Sequence, residues 1–188
     1  MYGPVVQGKL VRLRPPRAED APLMIGWFED LEVTRFLLRR HPPSLDEEKE
    51  WLDKMAKDPD HVIWVVEHKG RAVGVTGIHQ IHWRDGFGTT GTIIGDKTVW
   101  GKGLGRELMQ LRAIYAFVQL PLRKLKSAYL DGNEASARAQ AAAGYREVGR
   151  HRADRFVDGR WVDEVITEVR REDWAKGQAK PRAKRKTS

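Results

Sequence analysis

The stretch Trp100-Gly101-Lys102-Gly103-Leu104-Gly105-Arg106 decides how the rest of the chain is interpreted. It follows an apolar, strand-like run that ends at Ile93-Ile94, and it leads directly into a helical pattern from Glu107 to Val118. The alternating glycines leave backbone N–H groups uncovered by side chains, and the first N–H groups of a helix have no partner within that helix. Together with the positive end of the helix dipole, these groups predict a phosphate-binding loop.

Spacing excludes two common kinds of phosphate loop. A P-loop needs a Ser or Thr directly after a Gly-Lys pair, whereas Gly101-Lys102 is followed by Gly103. A dinucleotide fingerprint reads G-x-G-x-x-G after the first strand of its unit, whereas this loop reads G-x-G-x-G and lies deep in the chain. For the stretch taken alone, a plain strand-to-helix turn is the alternative.

Later motifs give the loop its context. Asn133-Glu134-Ala135-Ser136 opens a second short helix that ends at Gly144-Tyr145, and a late block carries Gly159-Arg160-Trp161-Val162-Asp163, Arg171 and Trp174. In this order the motifs resemble the GCN5-related N-acetyltransferase (GNAT) superfamily, and within it the RimJ/RimL-like branch of ribosomal-protein N-acetyltransferases. The resemblance covers about residues 8 to 174.

The resemblance implies a GNAT fold of the mixed α/β (α+β) class, with a mostly antiparallel seven-stranded sheet flanked by about four helices. The hydrophobic patterns agree, because they give the order β-α-α-β-β-β-α-β-α-β-β. The implied activity is direct transfer of an acetyl group from acetyl-CoA (coenzyme A) to a primary amine in a ternary complex. The acceptor is left open among a protein N-terminus, a polyamine and a small-molecule amine.

The resemblance also implies which residues hold the donor. The glycine loop matches the loop that binds the pyrophosphate of acetyl-CoA, and the strand that ends at Gly95 is expected to bulge and to splay from its parallel neighbour. The implied donor-binding residues are Ile93, Ile94, Trp100, Gly101, Lys102, Gly103, Leu104, Gly105, Arg106, Asn133 and Ser136. Simpler roles stay open for several of them: Lys102 and Arg106 as solvated charges, and Asn133 as a helix cap.

The residue that protonates the leaving thiolate is a departure from the pattern. Many relatives carry a Tyr seven residues after the Asn, but this chain has Gln140 there, and an amide cannot act as an acid. Ser136 is the candidate replacement. The alternatives are water, or departure without an acid, since the pKa of a thiol is only about 8.5.

The general base is sought among residues near the central strand. His79 is a candidate because the pKa of histidine, about 6.5, suits the task, and Asp96 is a candidate because it is the carboxylate nearest to that strand. By strand alternation His82 is expected on the face opposite His79. The histidines show no metal-ligand spacing, so no metal site is predicted.

Composition sets the outer bounds. A chain of 188 residues suits one domain, predicted at residues 1–175, followed by a basic tail at 176–188. The net charge is +8, and six basic residues lie in that acid-free tail, which predicts a solvated segment, with nucleic-acid binding as the alternative. Without cysteines or a long apolar run, the expectation is a cytoplasmic protein away from membranes. The resemblance to the RimJ/RimL-like branch implies a bacterial source. The resemblance adds a small-molecule amine or peptide partner and a homodimer.

Two other classes of function stay open. Gln140 motivates a non-catalytic, acyl-CoA-binding module that keeps the fold without turnover. The basic tail motivates an RNA-associated protein, whose binding would depend on salt.

Overall fold

The computed structural model describes residues 1–39 and 41–179. Within them, eight strands form one sheet in the order β1-β2-β3-β4-β5-β6-β8-β7. The strands are β1 (Val6–Gln7), β2 (Arg12–Arg14), β3 (Val62–His68), β4 (Arg71–His82), β5 (Phe87–Ile94), β6 (Lys124–Leu130), β7 (Arg146–Val157) and β8 (Arg160–Arg170). The helices are α1 (Ala21–Phe28), α2 (Leu31–Thr34), α3 (Leu45–Lys57), α4 (Leu104–Ile114), α5 (Glu134–Ala142) and α6 (Arg171–Ala179).

The sheet is mixed and mostly antiparallel, as predicted. Neighbouring strands pair antiparallel except β5 and β6, which are parallel and are joined by the crossover through α4. The sheet has one strand more than expected, because the predicted strand Lys9–Arg14 is observed as Arg12–Arg14 and pairs with the additional, two-residue β1. The short α2 and the C-terminal α6 are also additional.

Each face of the sheet is covered by its own helices. On one face, Leu104 and Leu108 of α4 are buried against Trp64 of β3 in the larger core cluster. On the other face, Met24 of α1 and Leu52 of α3 pack in a second cluster with Ile63 of the same strand. The neighbouring residues Ile63 and Trp64 therefore point to opposite faces of the sheet, as strand geometry requires, and each packs in a different core cluster.

Helix α4 is shorter than its sequence pattern predicts. The helix gives way to a wider π turn at Tyr115–Gln119, and the apolar side chains of Ile114 and Val118 are exposed. The buried face of α4 instead continues from Leu108 to Arg112, which is only 1% exposed.

A buried ion pair ties strand β2 to the start of helix α1. Arg14 of β2 donates from both terminal nitrogens to the Asp20 carboxylate, at 2.7 and 2.6 Å, and its Nε donates to Glu67 Oε1 at 2.6 Å. Burial alone would raise the pKa of Asp20, but the hydrogen bonds from Arg14 and from the backbone of Arg17 outweigh it and lower that pKa. The pair holds the start of α1 against β2.

The C-terminal helix is anchored to the loop before β6. The guanidinium of Arg171 donates to the carbonyls of Leu122 and Leu120 at 2.9 and 2.8 Å, and the Trp174 ring lies 5.5 Å from that of Phe117. Helix α6 continues to Ala179, past the predicted domain end at residue 175. Most of the predicted tail, residues 180–188, lies outside the described residues. Across residues 1–39 and 41–179, the helices are too short or too polar to span a bilayer.

Candidate active site

The glycine loop takes the conformation that its glycines permit. Gly101 and Gly103 have φ values of 74° and 84°, in the left-handed region that costs residues with a Cβ about 1–2 kcal/mol. Gly103 is the N-cap of α4, so its positive φ turns the chain sharply into the helix. The predicted strand-loop-helix order is therefore confirmed in geometry.

The loop presents a set of unused donors. Within the described residues, no backbone N–H from Gly101 through Arg106 donates to a backbone carbonyl. The side chains of Lys102 and Arg106 are exposed, and neither is paired with a carboxylate of the described chain. Orphan N–H groups at a helix N-terminus, flanked by two free cations, fit a pyrophosphate group.

Neighbouring side chains fix the loop at both ends. Trp100 Nε1 donates to the Ile94 carbonyl at 2.9 Å, so the indole closes the end of β5. Glu107, in the first turn of α4, accepts the backbone N–H groups of Lys9, Leu10 and Val11 at 2.6 to 2.9 Å. Sequence analysis gave Glu107 no role, and the structure shows that it anchors the N-terminal segment beside the loop.

Strands β5 and β6 open into a fork. Their parallel ladder covers only Phe87–Thr89 against Lys124–Lys126. One residue further, Thr90 Oγ1 donates to the Lys126 carbonyl at 3.0 Å, and Ser127 Oγ donates to the Thr90 carbonyl at 3.2 Å. From Gly91 to Ile94 the edge of β5 pairs with no described strand on that side, so the expected splay is present and the predicted Ile93 and Ile94 lie along its open arm.

The bulge lies elsewhere than expected. The ladder of β5 with β4 is regular up to Ile94, and the irregularity is on β4, where Gln80 with φ 50° and its neighbour oppose a single residue. His79 pairs with Thr89 and His82 pairs with Phe87. Because residues paired across a ladder share a face, the bulge brings His82 to the same face as His79, and the prediction of opposite faces is wrong.

His79 lies at the Gly91 end of the open arm. Its ring covers two facing glycines: a Cβ on Gly77 would lie 2.6 Å from its Nε2, and a Cβ on Gly91 would lie 3.6 Å from the same atom. Burial, followed by the charges of His61 and Arg112, lowers the pKa of His79 to about 4. The imidazole is therefore neutral at pH 7 and accepts hydrogen bonds, but it is a weak base.

Arg112 approaches Gly91 from the opposite face of the sheet. Its Nη1 donates to Thr76 Oγ1 at 2.7 Å, to the Gly91 carbonyl at 2.8 Å and to Thr92 Oγ1 at 2.9 Å. Sequence analysis missed this residue. The available signal was its place on the buried stripe of α4, at helical spacing after Leu104 and Leu108.

Asp96 lies far from this centre. It follows β5 by two residues, about 16 Å along the chain from Gly91 at the rise of a strand. Its Oδ1 accepts from the backbone N and the hydroxyl of Thr98 at 2.9 and 2.6 Å, and its other oxygen pairs with Arg71. These contacts, those of Thr98 first, lower the pKa of Asp96. The structure thus gives Asp96 a capping role and does not bring it to His79.

Ser136 belongs to a buried hydrogen-bond network on α5. Asn133 Oδ1 caps the helix by accepting from Ser136 N at 3.1 Å, as predicted. The Gln140 amide is 2% exposed; its Nε2 donates to Ser136 Oγ at 3.1 Å, and its Oε1 accepts from Thr167 Oγ1 at 2.5 Å. The Gln140 side chain therefore uses the oxygen of Ser136 and leaves the serine proton available.

The far hairpin groups three residues that metal-ligand spacing did not indicate. His151, Asp154 and Glu164 hold ligand atoms within 4.8 Å of one another, because a β7 bulge at Ala153 turns Asp154 back toward β8. Asp154 pairs with Arg155 at 3.1 Å, and His151 with Glu164 at 3.3 Å. These contacts account for the cluster as an ion-pair group.

Comparison with known proteins extends the geometry. The profile of the acetyltransferase (GNAT) domain matches residues 11–146. The probable N-acetyltransferase YjcK of Bacillus subtilis is 25% identical, with 88% of this chain and 96% of that protein covered. The uncharacterized N-acetyltransferase p20 of Bacillus licheniformis is 20% identical, with 87% and 94% covered. Both relatives are named as N-acetyltransferases, and neither name points to the ribosomal-protein branch.

Two solved structures show the same fold. The spermidine N-acetyltransferase of Vibrio cholerae, solved with CoA and spermine, superposes with a TM-score of 0.82 at 20% identity, covering 89% of this chain and 99% of that one. A putative acetyltransferase from T. thermophilus gives a TM-score of 0.76 at 26% identity, covering 95% of each chain. The glycine loop, the fork and the matched domain agree, and the chain belongs to the GNAT family of acyltransferases, with acetyl-CoA as its acyl donor.

Proposed function

We propose that this protein transfers the acetyl group of acetyl-CoA directly to a primary amine, with both substrates bound at the fork between β5 and β6. One observation carries the proposal: the open arm Gly91–Ile94 connects a loop of unused N–H donors at one end to His79 at the other. A donor held by its phosphates at Gly101–Arg106 can extend along that arm, and an amine can approach from the His79 face.

The chain's own groups bind and orient the donor. The orphan N–H groups and the Lys102 and Arg106 cations hold the pyrophosphate, and the open backbone edge of β5 offers hydrogen bonds to an extended amide-containing arm. Within the described residues Asn133 uses its Oδ1 for the cap, which leaves its amide nitrogen to bind the donor. Acetyl-CoA supplies the thioester, so the protein's task is positioning, which is worth a large part of the rate.

The amine must reach the fork without its proton. A histidine with a pKa of about 4 removes a proton from an alkylammonium with a pKa near 10.4 only at a large cost, so His79 does not generate the free amine efficiently. Its neutral imidazole instead accepts a hydrogen bond that orients the amine. The half-buried site favours the neutral form of the amine as well.

Ser136 is the proposed hydrogen-bond donor to the departing sulfur. Because Gln140 donates to its oxygen, the serine proton points away from Gln140, and the arrangement polarises the hydroxyl toward donation. In this proposal Gln140 does not replace a tyrosine acid; it positions the serine that acts in its place.

The acceptor end favours an amine with an apolar group. A cavity of about 460 Å³ lies between the α2–α3 connection and the β7–β8 hairpin, at the end of β6. Its lining is mostly apolar: Leu37, Leu38, Leu130, Phe156 and Trp161, with Asp154 and Arg155 paired to each other. The ion pair between Arg35 and Asp158, at 2.6 Å, holds the α2–α3 connection against the β7–β8 hairpin.

Nearby carboxylates give little support to a polycation. Asp30 and Glu32 both pair with Lys97, at 2.7 and 2.9 Å, and Glu47 caps α3 through Ser44. We therefore place a peptide N-terminus or another apolar amine ahead of spermidine, although the spermidine enzyme shares the fold. Ribosomal-protein N-termini, the substrates of the RimJ/RimL-like branch, belong to this class. A homodimer is part of the proposal, whereas nucleic-acid binding through the basic tail stays the alternative.

A thiol-release assay with acetyl-CoA tests the proposal. The panel pairs tripeptides that carry Phe or Gly at the second position, and adds spermidine and free amino acids. We expect release with peptides, several-fold faster with Phe than with Gly, and a loss of that preference in Trp161→Ala. Faster release with spermidine than with any peptide would overturn the acceptor class, and no release with any amine would overturn the transfer itself.

A further inference from the structure

Arg112 is a buried cation without a counterion. Its side chain is 1% exposed, its three observed acceptors are a backbone carbonyl and two hydroxyls, and no carboxylate of residues 1–39 and 41–179 pairs with it. Its Nε is buried with no hydrogen-bond partner. Arg14, the other strongly buried arginine discussed above, is by contrast neutralised by two carboxylates.

An unpaired buried charge is costly, and its cost calls for a compensating negative charge. The described residues supply none, so the positive potential is available to a ligand. The cation also reaches the reacting centre, because it bonds the Gly91 carbonyl from the α4 face while His79 covers the same glycine from the other face. Its charge is one of the causes that lower the pKa of His79.

We infer that Arg112 is built to stabilise the negative charge that forms on sulfur at the fork, an inference that rests on the proposed transfer. In that reaction the C–N bond forms, the C–S bond breaks, and the electron pair of the C–S bond stays on sulfur as a thiolate. The proton of the amine leaves to solvent or to His79. A fixed cation close to the developing charge lowers the barrier without having to reorganise.

The size of the effect follows from Coulomb's law. A unit positive charge about 6 Å from sulfur, at the dielectric typical of protein sites, favours the thiolate over the thiol by about tenfold to hundredfold. Arg112 thereby acts together with Ser136: the cation stabilises the leaving group as an anion, and the serine hydroxyl donates a hydrogen bond to it.

The test is the pH dependence of CoA binding, measured by calorimetry with desulfo-CoA as the ligand control. A free thiol has a pKa near 8.5, and a bound thiol beside a cation ionises at lower pH. Binding then releases a proton between the two pKa values, so the affinity for CoA should rise about tenfold to hundredfold as pH increases toward 8.5. The affinity for desulfo-CoA should stay flat.

Arg112→Met removes the charge and keeps an apolar stem of similar length. We expect it to fold, with thermal stability unchanged or raised, since an unpaired buried cation is lost. Its CoA affinity should lose the rise with pH, Arg112→Lys should restore part of it, and the surface control Lys49→Met should behave as the wild type. Equal pH profiles for CoA in the wild type and Arg112→Met would overturn the inference.

Two further results separate this inference from the proposed function. If Arg112→Met does not fold, equal pH profiles of CoA and desulfo-CoA in the wild-type protein still overturn it. If neither ligand binds the wild type, the donor site itself is wrong, and the inference falls with the proposed function.

Discussion

The two ends of the fork offer different kinds of binding groups: backbone N–H groups at the donor end and side chains at the acceptor end. In the proposed function, the donor end, from Trp100 to Arg106, binds through backbone N–H groups that are exposed because glycines permit the loop conformation. The proposed acceptor end, around His79 and the cavity beside Trp161, consists of side chains held by a bulge and by an ion pair. The donor end is therefore sensitive to a Cβ added at Gly101 or Gly103, whereas the proposed acceptor end is sensitive to what holds its side chains in place.

The largest expected effect concerns the ion pair at the start of α1, the helix that packs on the same face of the sheet as His79. Asp20→Asn removes the main partner of buried Arg14, where α1 starts, and we expect it to lower the free energy of unfolding by about 3 kcal/mol, because it leaves a buried cation less compensated. Urea unfolding at pH 7 measures the loss. The exposed Glu134→Gln, which breaks a surface pair, should change it by less than about 0.5 kcal/mol. Equal losses of unfolding free energy in the two variants would contradict a stabilising role for the buried Arg14–Asp20 pair.

Next in size is a side chain placed in the donor loop. Gly103→Val forces a β-branched residue to φ 84° and fills the phosphate cradle, so we expect the KM for acetyl-CoA to rise at least about tenfold, given a backbone cost of about 1–2 kcal/mol. Gly177→Ala in α6 is the matched control, because nothing lies within 4 Å of its added Cβ. An unchanged KM for acetyl-CoA in Gly103→Val would contradict the role of the loop.

The pH dependence of stability probes His79. Its folded pKa of about 4 lies below the unfolded value of about 6.5, so below pH 6.5 the unfolded chain binds a proton that the folded chain refuses. Stability therefore falls as pH drops from 6.5 toward 4, by on the order of 1–2 kcal/mol at pH 5. Unfolding at pH 7 and pH 5 should show this loss in the wild type and in the exposed His41→Gln, but a smaller one in His79→Gln. The same loss in all three proteins would place His79 in solvent.

The smallest expected effect is on the proposed sulfur contact. Ser136→Ala removes one hydrogen bond to the leaving group, so we expect kcat to fall about fivefold to tenfold, the value of a single neutral hydrogen bond. The KM for acetyl-CoA should hardly change, and Ser136→Thr, which keeps the hydroxyl, should recover most of the rate. If the alanine variant keeps full kcat, water or Arg112 alone suffices.

The same difference between backbone and side-chain groups explains which parts of the site could be predicted from the sequence. Gly101 and Gly103 can be recognised in the sequence as residues that permit a backbone with positive φ, so the loop, the helix after it and the donor could be predicted. The bulge at Gln80 has no comparable signal in the sequence, because glutamine is not a typical turn residue. Its positive φ places His82 on the same face of the sheet as His79, instead of the opposite face that strand alternation predicts. Long-range partners were equally invisible: nothing local shows that Arg112 ends beside Gly91 or that Asp96 is used by Thr98.

The most direct test of the central claim is a two-substrate initial-velocity experiment on the wild type and Gly103→Val, with acetyl-CoA and the best amine both varied. Direct transfer at one fork predicts intersecting lines, and the variant should raise the KM for acetyl-CoA while leaving the KM for the amine near its wild-type value. Parallel lines, which indicate an acetylated enzyme, or an equal rise in both KM values would contradict the account.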